Sequence, residues 1–340
     1  MDAPVNGPEH PSREADGMVQ TPAPPGARPL LTVVMPLHNG ADWLRATLDS
    51  LARETEGGFE VIAIDSSPDD RTCAIAEQFA HRFPLQVLRR PDVAAWPTKT
   101  NMAVKLARTD HVCMLHQDDL WLPGRMTAVR RWIQGAPDAA LHLAPSVYVN
   151  GQGKRLGSWT CPLPSERNLD RNLVLSRLLV QNFISVPAPV IRRQAWIDCG
   201  GMEDALWYTA DWDIWLKLAA AGPVVYHHEF TTAFRIHGSS LTMAGSRNAE
   251  DFRAQMEIVL DRYLDKVDVT LRRMAEPLGR ASIDVNVAMA AASRGGLHHL
   301  AQAIRALLAL GPKGITRYFR ASRLHERVFA RIEAKLGGGF

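Results

Sequence analysis

Val112-Cys113-Met114-Leu115-His116-Gln117-Asp118-Asp119-Leu120-Trp121 is the stretch on which the fold turns. Its apolar half has strand character, stops at two adjacent carboxylates and gives way to a turn at Pro123-Gly124. In an open α/β sheet, ligands bind just beyond the carboxyl ends of the strands. Two acids placed there make a hard, oxygen-rich site suited to a divalent cation and a polyanion.

Upstream, the pattern repeats. Leu30 to Pro36 is a short continuous apolar run, as in a strand buried on both faces of a parallel sheet. A turn, Pro36-Leu37-His38-Asn39-Gly40, leads to a helix from about Ala41 with Leu44, Leu48 and Leu51 on one face. Phe59 to Ile64 is a second strand ending at Asp65, and Asp69-Asp70 is placed to cap the next helix. Leu85 to Leu88 gives a third strand, and Pro97 to Ala107 a helix leading into the opening stretch. Alternating strands and helices with short connections predict an α/β fold with a mostly parallel sheet. Asn39, Asp65 and the Asp118-Asp119 pair then share one rim, and Asp118 and Asp119 are expected to hold a metal-bound nucleotide diphosphate.

Downstream, a helix runs to about Gln134 and Leu141 to Val149 reads as one strand. Asn150-Gly151-Gln152-Gly153 is a hairpin turn returning through Arg155 to Trp159. Leu169 to Val180 is a helix, and Val186 to Ile191 an edge strand, because its prolines exclude a central one. Asp211 opens a helix containing Ile214, Trp215 and Leu218, and Val224 to Phe234 reads as one further strand. From about Glu250 the chain is near-continuous helix, read as an appendage with its own small core. The expected organisation is a disordered leader (1–29), a main domain (30–245, its nucleotide half 30–124 and its acceptor half 125–245) and a C-terminal helical region (246–340).

Composition narrows the class. A formal charge of +3 on 340 residues is too small to argue for nucleic acid, and 46% apolar residues is ordinary for a soluble globular chain. Cys73, Cys113, Cys161 and Cys199 are widely spaced, matching neither a zinc pattern nor a disulfide framework, which suits a reducing cytosol. No signal-type apolar segment and no apolar run of about 18 residues is present. A cytoplasmic protein, soluble or peripheral at the inner face of the membrane, is expected.

These stretches, in this order, resemble the family 2 glycosyltransferases of GT-A fold. Val33 to Asn39 resembles that family's first strand and Pro-x-(Tyr/His)-Asn turn, and Val61 to Thr72 its second strand and Asp-rich loop. Leu115 to Pro123 is similar to its metal motif, Ala210-Asp211-Trp212-Asp213 falls where the family has Glu-Asp, and Arg235-Ile236-His237 resembles the Arg-x-His segment that closes over the diphosphate. The resemblance spans about Leu31 to Thr242. Three positions depart from it: Ser66 replaces a second acid that meets the nucleobase, His116 a frequent Asp, and Ala210 the usual Glu.

The resemblance implies an inverting sugar transfer from a nucleotide-sugar, a UDP-sugar first among them, to a saccharide or lipid-linked acceptor in surface-polysaccharide or glycolipid synthesis. Asp119 is the expected ligand of Mg²⁺ or Mn²⁺, Asp118 binds the ribose or shares the metal, and His237 is a further metal ligand or diphosphate contact. Asp211 is the expected general base, against the plainer reading of a helix N-cap; Asp213 either orients the site or faces solvent. Asp65 and Ser66 are expected to meet the base or ribose, Pro36, His38 and Asn39 to form the other wall, and Lys99 and Asn101 to reach the diphosphate. The C-terminal Arg305, Lys313, Arg317, Arg320, Arg323 and Arg327 read either as a solvated basic face or as a peripheral membrane contact. Two rivals are a nucleotidyltransferase, for which 36–40 lacks a Gly-rich basic loop, and a non-catalytic sugar- or nucleotide-binding module with a helical arm. A dehydrogenase would need G-x-G-x-x-G after the first strand.

Overall fold

A computed structural model describes residues 18–20, 28–164, 169–238, 248–292 and 297–336. The parallel heart of the fold is β2 (Leu31–Leu37), β3 (Phe59–Asp65), β4 (Leu85–Arg89) and β5 (His111–Met114), ordered β4-β3-β2-β5. Strand β2 is central and buried at every position, and its alternation feeds two cores. Val33 and Met35 point to the layer of α1 (Leu44–Ala52), α2 (Arg71–Glu77) and α4 (Arg125–Gly135), while Val34 points to the layer of α3 (Trp96–Leu106). Crossover helices on both faces explain why these strands are mostly apolar on both sides.

Beyond β5 the sheet continues through β10 (Val190–Arg192), β7 (Leu141–Leu143) and β11 (Val224–Tyr226). β10 is antiparallel to both neighbours, so it is interior and not the expected edge strand. The strand begins only after Pro189, which leaves the prolines outside the ladder. Each of two runs expected as a single strand is divided between two sheets. Leu141 to Val149 breaks at Ala144-Pro145 into β7 and β8 (Ser146–Val149), and Val224 to Phe234 breaks at 227–231 into β11 and β12 (Thr232–Arg235). β7 pairs with β11 in the main sheet, and β8 with β12 in a second sheet ordered β6-β12-β8-β9, where β6 is Leu120–Trp121 and β9 is Arg155–Trp159. That second sheet lies against the acidic loop, because β6 follows Asp119 directly.

At the opposite edge β1 (Met18–Gln20) pairs antiparallel with β4. The leader is therefore not devoid of structure throughout: the open edge of β4 offers unpaired N–H and C=O groups, and a short extended segment satisfies them without a core of its own. The remainder of 1–27 lies outside the described residues.

The C-terminal region is helical, as expected, but its first two helices have no separate core. Phe252, Met256, Val259 and Leu260 of α8 (Ala249–Leu264) and Ile283 and Val287 of α9 (Val269–Ala292) join the cluster that holds Ile214, Trp215 and Leu218 of α7 (Ala210–Ala221). A buried ion-pair network reinforces the junction. Asp213, fully buried, accepts from Arg262 Nη1 and Tyr263 Oη, each at 2.9 Å, and pairs with Lys217 Nζ at 2.8 Å. The carboxylate expected either at the site or in solvent instead ties α7 to α8. Helices α10 (Leu297–Ala309), α11 (Gly311–Ser322) and α12 (Leu324–Leu336) follow. Among the described residues, no helix is long and apolar enough to cross a membrane.

Candidate active site

The rim formed by the ends of β2, β3 and β5 is closed by side chains that the chain spends on itself. Gln117 bridges two strand ends: His38 N donates to its Oε1 and its Nε2 donates to His38 O, both at 2.9 Å. Gly40 leaves room for this amide, since a Cβ there would stand 2.5 Å from Gln117 Oε1. His38 Nδ1 lies 3.1 Å from Ser66 Oγ, and Asn39, in a left-handed conformation, donates its N–H to Ser67 Oγ at 2.8 Å. His38 and Asn39 are exposed, whereas Pro36 and Ser66 are buried. The first two are thus open to a ligand.

Three expected ligand contacts are used differently. Asp65 is fully buried: Oδ1 accepts from Ser67 N (2.9 Å) and Ser67 Oγ (2.6 Å), and Cys73 Sγ donates to Oδ2 at 3.0 Å. It shapes its own loop rather than facing a base or ribose. Lys99, 2% exposed, donates to Leu37 O (2.7 Å) and Ser66 Oγ (2.8 Å), and burial pulls its ammonium down to about 8. Asn101 accepts from Met202 N (3.0 Å) and Trp196 Nε1 (3.1 Å) and donates to Met202 O (2.8 Å). Lys99 thus props two strand ends and Asn101 pins the segment before α7, so neither reaches for a diphosphate. A strand-end position predicts proximity to a ligand but not which way a polar group points.

At the end of β5, His116, Asp118 and Asp119 bring one donor atom each within 4.8 Å of one another. Asp119 is 1% exposed; its Oδ1 accepts from Arg235 N at 3.1 Å and its Oδ2 has no partner among the described residues. His116 Nε2 is likewise buried without a partner. Buried polar atoms are almost always paired, so two orphaned lone-pair donors beside a second carboxylate form a group that could hold a cation. Burial, and after it the Asp118 charge, push the Asp119 carboxyl well above the usual range. Burial would raise Asp118 too, but the His237 hydrogen bond and the nearby His116 outweigh it and hold that carboxyl low.

His237 lies behind this set. Its Nε2 is 2.8 Å from Asp118 Oδ2, and an ionised carboxylate only accepts, so Nε2 carries the proton. His237, expected as a metal ligand or a diphosphate contact, here braces Asp118, and His116, a departure from the family pattern, stands in the cluster. Arg235 is also spent internally. It is 3% exposed, donates to the carbonyls of Asp118 (2.7 Å), Asn150 (3.1 Å) and Gly151 (2.7 Å), and lies over the Trp43 ring at 5.1 Å. It locks the second sheet onto the acidic loop.

Asp211 arrives on the second residue of α7. It is not the N-cap, which is Thr209. Its Oδ1 accepts from Trp212 N and its Oδ2 from Asn182 Nδ2, both at 2.8 Å, and burial pushes its carboxyl up to about 6 despite those bonds. Trp96 links this side to the acidic loop, meeting the His116 ring edge-on at 5.2 Å and donating Nε1 to Trp207 O at 2.6 Å. Behind Asn182 runs a relay. Gln181 Nε2 donates to Asn182 O (3.3 Å), Asn286 Nδ2 to Gln181 Oε1 (2.9 Å), and Arg327 Nη1 to Asn286 Oδ1 (3.2 Å). Sequence reasoning missed His116, Gln117, Trp96 and Asn182. Only His116 carried a signal, as a non-acid in an acidic motif.

Residues 32–195 match the model of the glycosyl transferase family 2. This chain carries a family 2 glycosyltransferase domain. The match ends before Asp211 and His237. An uncharacterized protein of Mycobacterium tuberculosis is 27% identical over 237 residues (66% of this chain, 74% of that one), and an uncharacterized glycosyltransferase of Rickettsia typhi 21% over 230 (66% and 70%). Among solved structures, residues 1–349 of Staphylococcus aureus TarS bound to UDP-GlcNAc superpose with a TM-score of 0.62 at 15% identity, covering 87% of this chain and 91% of that one. Against the longer TarS chain the match covers 74% of this chain and 43% of that one, with a TM-score of 0.58 at 17% identity. The mannosyltransferase PcManGT of Pyrobaculum calidifontis, in complex with GDP-Man and Mn²⁺, gives 0.51 at 16% identity, covering 92% and 89%. The fold is GT-A, with a helical C-terminal region.

Proposed function

We propose that this glycosyltransferase is metal-dependent and inverting, and moves a sugar from a nucleotide-sugar, first a UDP-sugar, to a saccharide or lipid-linked acceptor. The observation that carries the proposal is the pair of orphaned donors, Asp119 Oδ2 and His116 Nε2, beside the ionised Asp118. Two carboxylates and an imidazole suit Mn²⁺ better than Mg²⁺, which favours an all-oxygen shell. Asp118, Asp119 and His116 would hold the ion, which supplies Lewis-acid stabilisation of charge on the departing diphosphate.

The remaining chemistry belongs to the chain. Inversion requires the acceptor hydroxyl to attack the anomeric carbon from the face opposite the diphosphate, and a base to take its proton. Asp211 fits that role: a carboxyl titrating near 6 is ionised at neutral pH yet basic enough to share a proton in the transition state. Asn182 fixes one oxygen, and Trp96 sets the distance between α7 and the acidic loop. His38 and Asn39, held by Gln117 and Ser67, form an exposed wall for the nucleotide.

Residues 30–245 form the catalytic unit in this reading and 246–340 a helical region packed onto it. The stretch 285–325 contains no Asp or Glu but Arg294, Arg305, Lys313, Arg317, Arg320 and Arg323. On α10, Leu300, Ile304 and Leu308 are 48%, 49% and 66% exposed. A basic, apolar-faced surface supports peripheral contact with an anionic membrane from the cytoplasmic side, where a glycolipid or surface-polysaccharide acceptor would be met. The testing experiment is release of nucleoside diphosphate from a panel of nucleotide-sugars with and without Mn²⁺. Metal-dependent release from one donor supports the proposal; release that ignores the metal contradicts it.

A further inference from the structure

Helix α12 turns one face inward, with Arg327, Ala330, Arg331 and Ala334 at i, i+3, i+4 and i+7. Ala330 and Ala334 are buried against Tyr148 of the second sheet. Arg327 therefore does not belong to the exposed basic face. Its Nε and Nη2 are buried with no partner among the described residues, and the buried hydroxyl of Tyr148 has none either, whereas the Tyr318 hydroxyl meets Ser282 and Ser322. The neighbouring Glu326 is committed elsewhere: it pairs with Arg323 and accepts from Thr160 N (2.9 Å) and Oγ1 (2.7 Å). The groups that act on Arg327 are Tyr148, Arg331, Tyr318 and Tyr208, with no carboxylate among them. Buried guanidinium nitrogens without a counter-charge are destabilising.

The cluster offers N–H and O–H donors and two positive charges, and the one carboxylate that acts on its Tyr148, Glu326, is already paired with Arg323 and Thr160, which leaves it complementary to an oxyanion. Its position is as telling as its chemistry. Tyr208 lies within electrostatic reach of both Arg327 and Arg331 and also of Asp211. Arg327 is also the far end of the hydrogen-bonded relay through Asn286, Gln181 and Asn182 to Asp211. The cationic cluster is thus joined to the base through this relay.

We propose that Arg327 and Arg331, with the hydroxyl of Tyr148, bind an oxyanion carried by the acceptor substrate, a phosphate or a carboxylate. The inference rests on Asp211 marking the acceptor side. It narrows the acceptor class from any saccharide or lipid-linked glycan to one bearing negative charge near the attacking hydroxyl.

The test uses the full chain with saturating UDP and Mn²⁺, so that the diphosphate site is filled. Thermal shift is followed during titration with glycerol 3-phosphate and with glucuronate, and with glycerol and glucose as uncharged controls. A saturable rise with glycerol 3-phosphate identifies a phosphate, and one with glucuronate alone a carboxylate. In either case Arg327→Met and Arg331→Met should weaken the response at least tenfold while leaving the UDP response intact. Arg327→Met without ligand should melt at or above the wild-type temperature, because it removes an uncompensated charge. No saturable response to either anion, unchanged affinity in both variants, or a lower melting temperature for Arg327→Met would overturn the inference. If Arg327→Met does not fold, it has the structural role just excluded and the inference falls equally. Loss of the UDP response in wild type would instead count against the donor assignment, so the two failures are distinguishable.

Discussion

Asn182 Nδ2 stands 2.8 Å from Asp211 Oδ2 and joins a loop after α5 (Arg171–Val180) to the second residue of α7. This bond favours the ionised carboxylate, while burial favours the neutral acid, and the balance leaves Asp211 at about 6. A base must be ionised to act, so kcat/KM should fall as pH drops through about 6 and level off above about 7. Asn182→Ala removes the bond and raises the carboxyl further. A hydrogen bond to a charged group is worth about 1.5–3 kcal/mol, or roughly one to two pH units. The acid limb should move upward by that amount, with a larger loss at pH 6 than at pH 8. A kcat/KM profile whose limb stays in place would show that Asn182 does not hold the base.

At the acidic loop, Asp119→Asn removes the charge of the orphaned carboxylate and should lower kcat by at least about 100-fold, since metal charge stabilisation is worth several kcal/mol. His116→Asp restores the acid common in the family and exchanges a nitrogen donor for oxygen. It should retain activity but shift preference from Mn²⁺ toward Mg²⁺. Metal titrations of nucleoside diphosphate release, run side by side, separate the two effects.

Arg235 looks like a diphosphate contact in the sequence and is a strut in the structure. Arg235→Ala leaves the carbonyls of Asp118, Asn150 and Gly151 without their donor, and should cost about 3 kcal/mol or more of stability in urea unfolding. Arg235→Lys should recover little, because an ammonium cannot reproduce the planar fork. If Arg235→Ala unfolds like wild type and only KM for the donor rises, the sequence-based role is the correct one.

Helix α9 reaches the base through its contact with α5. A Cβ on Gly279 would stand 2.6 Å from Leu179 O, a backbone atom that cannot swing aside. Gly279→Ala should therefore part the helices at a cost of about 1–3 kcal/mol. It should also slow turnover, because Gln181 and Asn182 follow directly on α5. Stability and kcat measured on one preparation would show both effects together.

The fold was legible because β2, β3 and β5 are mostly apolar and are followed abruptly by polar residues, a signal that survives without tertiary knowledge. The paired acids were legible for the same reason. What the chain concealed was orientation. Asp65 and Lys99 sit at strand and helix positions that look ligand-facing, yet each is turned inward to satisfy Ser67, Cys73, Leu37 and Ser66. The two divided strands were read as single because period-2 alternation does not register a change of sheet at Pro145 or at 227–231. Asn182 lies in a loop with no motif, and only the packing of α5 against α7 brings it to Asp211. The C-terminal helices looked self-sufficient because amphipathic periodicity gives the apolar face but not its partner.

The most direct test of the mechanism is nucleoside diphosphate release by Asp211→Asn in saturating Mn²⁺, with the donor that wild type turns over. Asn is nearly isosteric and keeps an oxygen for the Asn182 amide, so nucleotide binding measured by thermal shift should be unchanged. The account predicts a fall in kcat of at least 100-fold, within the range attributed to general-base catalysis, and loss of the acid limb near pH 6. A variant that releases diphosphate at the wild-type rate, with the limb intact, would contradict it.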